Sequence, residues 1–212
     1  MAGLLTASEI ARELADYHLT LSPPALARLQ SYLELLLRWN RRVNLTGIRE
    51  PRRIVRELLG ESLYLSRVLE LRGWLVDVGS GAGFPGLAVK FAAPGLRVTL
   101  IEARRKKCAF LREAIRVCGF AATEVVEERF ESWVAQRRGK GGADIITTRA
   151  VDVDGNLLAA MGRVGRSGGT AALLTTASLS EKIRRLRPEW EWQEEHGIPG
   201  SAHRVILCGR IP

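Results

Sequence analysis

Cysteine is scarce in this chain of 212 residues. Cys108, Cys118 and Cys208 are an odd number and none stands in a C-x-x-C pair, which points to a reducing compartment and away from a disulfide framework or structural zinc. Histidine is equally scarce. His18, His196 and His203 form no H-E-x-x-H and no i, i+4 pair, so no metal site is expected. No run approaches the length of about 18 apolar residues that a membrane span needs, and no membrane partner is expected. The N-terminus lacks the basic flank and apolar run of a signal peptide. The expected location is cytoplasmic. There are no internal repeats and no low-complexity tract. Lysine is rare too: only five of the 32 basic residues are Lys.

What is present is arginine. The net charge is +9 with a sequence pI of about 10.2, while hydrophobic residues make up 46% and charged residues 26%. That balance belongs to an ordered globular chain, one main fold with at most a small appendage. So basic a surface attracts polyanions, nucleic acid first and an anionic membrane surface second. A general preference for Arg would raise the pI with no function attached.

The first 72 residues read as helical. Ser22-Pro23-Pro24 is a helix start. Leu26, Leu29, Leu33, Leu36 and Asn40 then follow at alternating spacings of three and four, an amphipathic stripe apolar until its last member. Pro51 opens a second helical stretch. From Gly73 the texture changes, and strand-like runs alternate with helical ones. The strands are expected at Trp74–Val78, Arg97–Glu102, Ala122–Glu127, Asp144–Arg149, Thr170–Thr175, Glu189–Glu194 and Arg204–Cys208. The helices are expected at Gly86–Ala92, Lys106–Cys118, Phe130–Gln136 and Gly155–Val164. This alternation predicts an α/β fold with a largely parallel sheet. Its last two strands, joined by a short segment, are expected as an antiparallel pair that makes the seven-stranded sheet mixed. The predicted organisation is a helical extension over 1–72 and an α/β domain over 73–212. Charge concentrates in the extension: residues 28–56 hold eight Arg against Glu34 and Glu50, and Arg104-Arg105-Lys106-Lys107 is a second run. Arg137-Arg138-Gly139-Lys140-Gly141-Gly142 reads as a flexible basic loop.

The most informative segment is Val76-Asp77-Val78-Gly79-Ser80-Gly81-Ala82-Gly83-Phe84-Pro85-Gly86. An apolar strand ends in an acid and runs into glycines that let the backbone turn sharply and approach a ligand. In an open α/β sheet ligands bind at this carboxyl end. Gly81-x-Gly83-x-x-Gly86 matches the dinucleotide pattern, and Glu102 stands 21 residues after Gly81, where a ribose-binding acid belongs. The competing cofactor is S-adenosylmethionine. Asp77 favours it, because a carboxylate repels a pyrophosphate and suits an ammonium and a sulfonium. Glu102 can accept both ribose hydroxyls. After the third strand, Phe130 and a neighbouring acid could cover and bind the adenine.

The fourth strand ends in Thr147-Thr148-Arg149-Ala150. It lacks the Asp/Asn-Pro-Pro-aromatic motif of enzymes that methylate exocyclic amines, and the nucleophilic Cys of those that methylate pyrimidine carbon. The target atom should then need no activation. Guanine N7, with its available lone pair, qualifies. Arg149 could contact the cofactor, the base or a phosphate, or form an ion pair with Asp152.

Leu37-Arg38-Trp39-Asn40-Arg41-Arg42-Val43-Asn44-Leu45-Thr46-Gly47-Ile48, the glycine segment and Thr148-Arg149-Ala150 together resemble the bacterial small-subunit rRNA guanine-N7 methyltransferases, once called glucose-inhibited division protein B. The similarity runs from about residue 22 to 209. It implies a class I S-adenosylmethionine-dependent methyltransferase, Rossmann-like, with an RNA-facing N-terminal extension. It also implies methyl transfer to one guanine N7 of 16S rRNA, free or in a small-subunit assembly particle; a monomer is expected. Carried over by position, Gly79, Phe84, Phe130, Glu131 and Arg149 join Asp77, Gly81, Gly83 and Glu102 around the cofactor. Arg38, Arg41, Arg42, Asn44, Arg52 and Arg53 would meet RNA, and no catalytic acid or base is assigned. The sequence departs from the family at Leu58 and Glu61 (usually His and Asp), at Thr175-Thr176 (usually Lys-Gly) and at Ala202 (usually Arg), positions expected to face RNA. The alternatives are a non-catalytic or retargeted binding paralogue and a dinucleotide-dependent oxidoreductase.

Overall fold

The structure is a computed structural model that describes residues 4–136, 141–149 and 152–212. Ala150 and residues 137–140 of the basic glycine loop lie outside the described residues. Helix α1 (Ala7–Leu14) starts at a capping box: Thr6 accepts from the Glu9 amide, and the Glu9 carboxylate accepts from the Thr6 amide at 2.9 Å. Helix α2 (Pro23–Asn40) starts where Ser22 caps Ala25. It buries Leu29, Leu33 and Leu36, and half buries Leu26. Asn40 ends the stripe for a different reason. Its Oδ1 accepts from the Leu45 and Thr46 amides at 2.9 and 3.0 Å, and its Nδ2 donates to the Thr46 carbonyl, which folds the loop after α2.

The second helical stretch is less regular than its apolar pattern suggests. It runs through α3 (Pro51–Arg53), a π-helical segment Ile54–Gly60, α4 (Glu61–Leu63) and α5 (Leu65–Val68). Gly60 is required there, since a Cβ would lie 2.4 Å from the Tyr17 ring.

Among the described residues the sheet contains eight strands where seven are predicted: β1 (Trp74–Val78), β2 (Arg97–Ile101), β3 (Thr123–Val126), β4 (Ala143–Arg149), β5 (Gly165–Thr176), β6 (Glu191–Trp192), β7 (His196–Gly197) and β8 (Arg204–Arg210). Their order is β3-β2-β1-β4-β5-β8-β6, with β7 also on β8. The first five are parallel, and β8 is antiparallel to β5, β6 and β7. The mixed class I arrangement is as expected. The extra strand arises because two residues of the short connection, His196-Gly197, pair with Val205 and Ile206. Strand β6 is only two residues long, set against Gly209, where a Cβ would strike the Trp192 ring at 2.6 Å.

Helices α6 (Arg105–Cys118), α7 (Phe130–Gln136), α8 (Gly155–Val164) and α9 (Ala177–Leu186) complete the fold. Helix α9 is absent from the sequence reading because it buries little beyond Ser180 and Ile183. The helix expected at Gly86–Ala92 is only a 3-10 turn, Ala88–Phe91. Ala92 caps it, its amide donating to the Val89 carbonyl at 3.1 Å, and the buried Lys90 ammonium is held by the Pro94, Leu96 and Ala121 carbonyls at 2.7, 2.6 and 2.9 Å.

Strand alternation divides the core. Leu75, Leu100, Ala172 and Leu174 face the N-terminal helices and α6; Val76, Ile101, Ala171 and Leu173 face α7, α8 and α9. The segment before Gly73 therefore shares one core with one face of the sheet. All three cysteines are free and buried, and burial pushes their thiols up to about 11 for Cys108 and about 12 for Cys118 and Cys208. Among the described residues no helix is long and apolar enough to cross a membrane.

Candidate active site

Register aligns the carboxyl ends of the central strands. Val78 lies beside Ile101 on one side and Thr148 on the other, and Ile101 beside Val126. The chain moves outward from β1 through β2 and β3, then returns to place β4 on β1's other side. That reversal is the topological switch point where α/β sheets open a crevice.

The glycine segment crosses this point. Gly79, Gly81 and Gly83 have φ of +70°, +58° and +96°, values that L side chains rarely adopt. Gly83 is further constrained, since a Cβ would lie 2.7 Å from Leu87 Cβ. Gly81 is open: a Cβ there would meet nothing nearer than the Gly79 carbonyl at 3.8 Å and Lys107 Nζ at 3.9 Å. The amides are largely consumed within the protein. Gly79 and Ser80 donate to the Ile101 carbonyl at 2.9 and 3.0 Å. Gly83 and Phe84 donate to the Ser80 carbonyl at 2.6 and 3.1 Å. Gly81 donates to Glu102 Oε2 at 3.0 Å. Such a turn offers few amides to a pyrophosphate, which needs a cluster of free N–H groups. It suits a ligand that packs on the bare backbone at Gly81. From below, Tyr32 of α2 donates its hydroxyl to the Ala82 carbonyl.

Glu102 is at the expected place. Its Oε1 accepts from the Arg104 amide at 2.8 Å and its Oε2 from Gly81. A carboxylate has about four acceptor sites, so two remain for a ribose diol. A carboxylate with free acceptor sites and a stretch of bare backbone are a combination that fits S-adenosylmethionine.

Asp77 is placed differently from a ligand-facing acid. It is fully buried, with Oδ1 accepting from Thr147 Oγ1 at 2.7 Å. Its Oδ2 has no hydrogen-bond partner among the described residues and packs on Gly86, where a Cβ would lie 2.7 Å away. Burial pushes its carboxyl up to about 6, against the lowering by Thr147, Ser80 and the nearby Gly86 amide. Phe84 is also buried, edge-on to Tyr32 with ring centres 6.1 Å apart. Phe130 is buried and stacked on Trp133, whereas Glu131 beside it is exposed.

Arg149 turns away from the loop. It donates to the Glu57 carbonyl at 2.6 Å, the Leu58 carbonyl at 3.2 Å and Glu61 Oε2 at 2.9 Å. Its ion-pair partner is thus Glu61, not Asp152. Arg204, at the start of β8, reaches Glu61 Oε1 at 2.9 Å. Burial raises the Glu61 carboxyl against the opposing pull of the two arginines. Beside this cluster lies a pocket of about 270 Å³, lined by the ends of β4 and β5, Leu179 of α9, Ile198 and the Glu61–Arg149–Arg204 group.

Comparison with known proteins decides what this crevice belongs to. Residues 25–202 match the GidB family model, described as rRNA small subunit methyltransferase G. Relatives named ribosomal RNA small subunit methyltransferase G from Xylella fastidiosa (strain M23) and Stenotrophomonas maltophilia (strain K279a) are each 36% identical. The first match covers 86% of both chains, the second 89% of this chain and 87% of the relative. This chain belongs to the rRNA small subunit methyltransferase G family. The fold agrees. It is similar to a SAM-dependent methyltransferase from Aquifex aeolicus (TM-score 0.59, 12% identity, 80% of this chain and 97% of that one). It is also similar to a ribosomal protein L11 methylase from Lactobacillus delbrueckii subsp. bulgaricus (TM-score 0.60, 13% identity, 74% and 79%). As a member of the methyltransferase G family the chain is an S-adenosylmethionine-dependent rRNA methyltransferase.

Positions where this family member departs from the usual residues are mostly not surface positions. Leu58 lies in the core and Glu61 is buried, while Thr175 and Thr176 line the pocket; only Ala202 is exposed. Of the positions expected to face RNA, Leu58 is thus covered by the core, Glu61, Thr175 and Thr176 border the pocket, and Ala202 meets solvent.

The arginines expected to meet RNA divide in two. Arg41, Arg42 and Asn44 are exposed, and neither arginine has an ion pair among the described residues. Arg38 is exposed but pairs with Glu113 of α6 at 3.2 Å, beside the Trp39 indole donating to the same carboxylate at 2.8 Å. Arg52 is held by Glu9 at 2.7 Å and Glu13 at 2.5 Å, and Arg53 by Glu57 at 2.7 Å. Tyr32, Glu61 as a buried acid and Arg204 had no local signal. Each acts through a partner distant in sequence.

Proposed function

We propose that this chain methylates N7 of a guanine in 16S rRNA, in free rRNA or a small-subunit assembly particle, as a cytoplasmic monomer. The observation that carries the reading is the split of the crevice at the switch point. Glu102 and the open Gly81 backbone lie on the β1–β2 side, and a base-sized pocket lies on the β4–β5 side. Bound S-adenosylmethionine supplies an electrophilic methyl carbon on a sulfonium.

The chain's own residues do the rest. Glu102 accepts the ribose hydroxyls, Phe130 and Glu131 bracket the adenine edge, and Gly79, Gly81 and Gly83 bring backbone against the ligand. Asp77 contributes from beneath, through its field across the loop rather than by contact. The strand end Thr147-Thr148-Arg149 holds no carboxylate, amide or thiol to activate a nucleophile, which favours a nitrogen that already presents a lone pair. Arg41, Arg42, Arg38 and Asn44 on the helical extension, residues 1–72, meet the RNA backbone. The mostly satisfied amides of the glycine turn weigh against a dinucleotide oxidoreductase.

The test is transfer of a labelled methyl group from S-adenosylmethionine to 16S rRNA from cells lacking this enzyme, followed by mapping of N7-methylguanine. One labelled guanine N7 is the expected result. Label on another atom, or none, overturns the reading.

A further inference from the structure

Glu61 occupies an unusual position for a carboxylate. Its side chain is only 3% exposed, yet it lines the pocket at the ends of β4 and β5. The other walls are largely apolar, including Val153, Leu174, Ile198 and Leu179, which is 47% exposed at the rim. An apolar slot with a few convergent polar groups is the form of a small-ligand site, and about 270 Å³ suits one aromatic base.

Arg149 donates a hydrogen bond to Oε2, and Arg204 forms an ion pair with Oε1 at 2.9 Å. With about four sites on a carboxylate, acceptor capacity is left on both oxygens. Two adjacent acceptors match two adjacent donors. Among the bases, guanine presents that pair on its pairing edge, at N1–H and the 2-amino group. The two arginines oppose the upward push of burial on the Glu61 carboxyl and hold it at the pocket wall.

We propose that this pocket receives the target guanine out of the RNA stack, and that Glu61 reads its N1–H and 2-amino edge. The assignment rests on the N7 reading above and adds the residue that selects guanine. It also adds a role in the transfer. The N7 lone pair attacks the methyl carbon, the carbon–sulfur bond breaks with its electron pair left on sulfur, and positive charge passes to the base with no proton released. That charge makes N1–H a stronger donor, so a carboxylate on N1–H binds the transition state more tightly than the ground state.

The test uses the full chain and small-subunit particles reconstituted with 16S rRNA carrying guanosine or inosine at the target. Inosine keeps N7, O6 and N1–H and lacks the 2-amino group. Wild type should show kcat/KM lower by about tenfold or more on inosine, the effect of one hydrogen bond to a charged acceptor. Glu61→Gln should lose rate on guanosine and most of the guanosine-to-inosine ratio, with S-adenosylmethionine affinity unchanged by calorimetry. The ratio is internal to each protein, so partial misfolding of the variant does not mimic it. Equal rates of wild type on the two substrates overturn the assignment, and so does an undiminished ratio in Glu61→Gln. If wild type methylates guanosine at N7 but fails these tests, the N7 reading stands and the Glu61 assignment falls. If wild type forms no N7-methylguanine, both fall.

Discussion

Tyr32 donates its hydroxyl to the Ala82 carbonyl, a hydrogen bond that ties α2 to the glycine turn across 50 residues of chain. Tyr32 is 1% exposed, and its burial pushes the hydroxyl well above the usual phenol range, so it remains a donor at any working pH. Tyr32→Phe keeps the ring contacts and leaves the Ala82 carbonyl unpaired. The expected cost is about 1–3 kcal/mol in denaturant unfolding. S-adenosylmethionine affinity should fall with it, because the turn loses its strut. Unchanged affinity would separate the extension from the cofactor site.

Gly81 tests the turn itself. At φ +58° with open space around it, Gly81→Ala costs the backbone about 1–2 kcal/mol without a clash. The added methyl stands where the ligand packs, so calorimetry should show S-adenosylmethionine affinity reduced by about tenfold or more. A folded variant with normal affinity contradicts the placement of the ligand.

Asp77 predicts a pH dependence of stability. Its folded value of about 6 lies above the ordinary 3.8. Between those values the native state holds a proton that the unfolded chain releases, so stability falls as pH rises through this window. From pH 5 to pH 7 this group alone removes about 1 kcal/mol. Unfolding of Asp77→Asn should lack that component. An identical pH profile in the two proteins would show that the carboxyl titrates normally.

The two classes of arginine should respond differently to charge removal. Arg41→Gln with Arg42→Gln should weaken 16S rRNA binding and lower the slope of log affinity against log salt by about two, with thermal stability unchanged. Arg52→Gln should instead lower the melting temperature, since Arg52 joins Glu9 and Glu13 of α1 to α3. A large salt effect from Arg52 and none from Arg41 and Arg42 would reverse the assignment.

Local patterns were the legible part of this chain. The three-four stripe of α2, the apolar strands β1 to β5 and the glycine spacing all act within a few residues, so their roles can be read in order. Glu102 was legible for the same reason, as a strand end at a fixed distance from the turn. The rest depends on partners brought from afar. Asp77 is buried because Thr147, 70 residues on, closes over it. Arg149 is tied to the helical segment by Glu61, 88 residues earlier. The short strands β6 and β7 exist only because β8 passes between β5 and β6, and two-residue strands carry no periodicity to read.

The three buried thiols have a practical consequence. Each sits at about 11 or 12, while an exposed cysteine titrates at about 8.5. At neutral pH the native protein therefore offers maleimides and disulfide reagents almost no thiolate. A cysteine introduced at the pocket rim, as in Leu179→Cys, would become a single addressable label, able to report by fluorescence when a nucleotide enters or leaves.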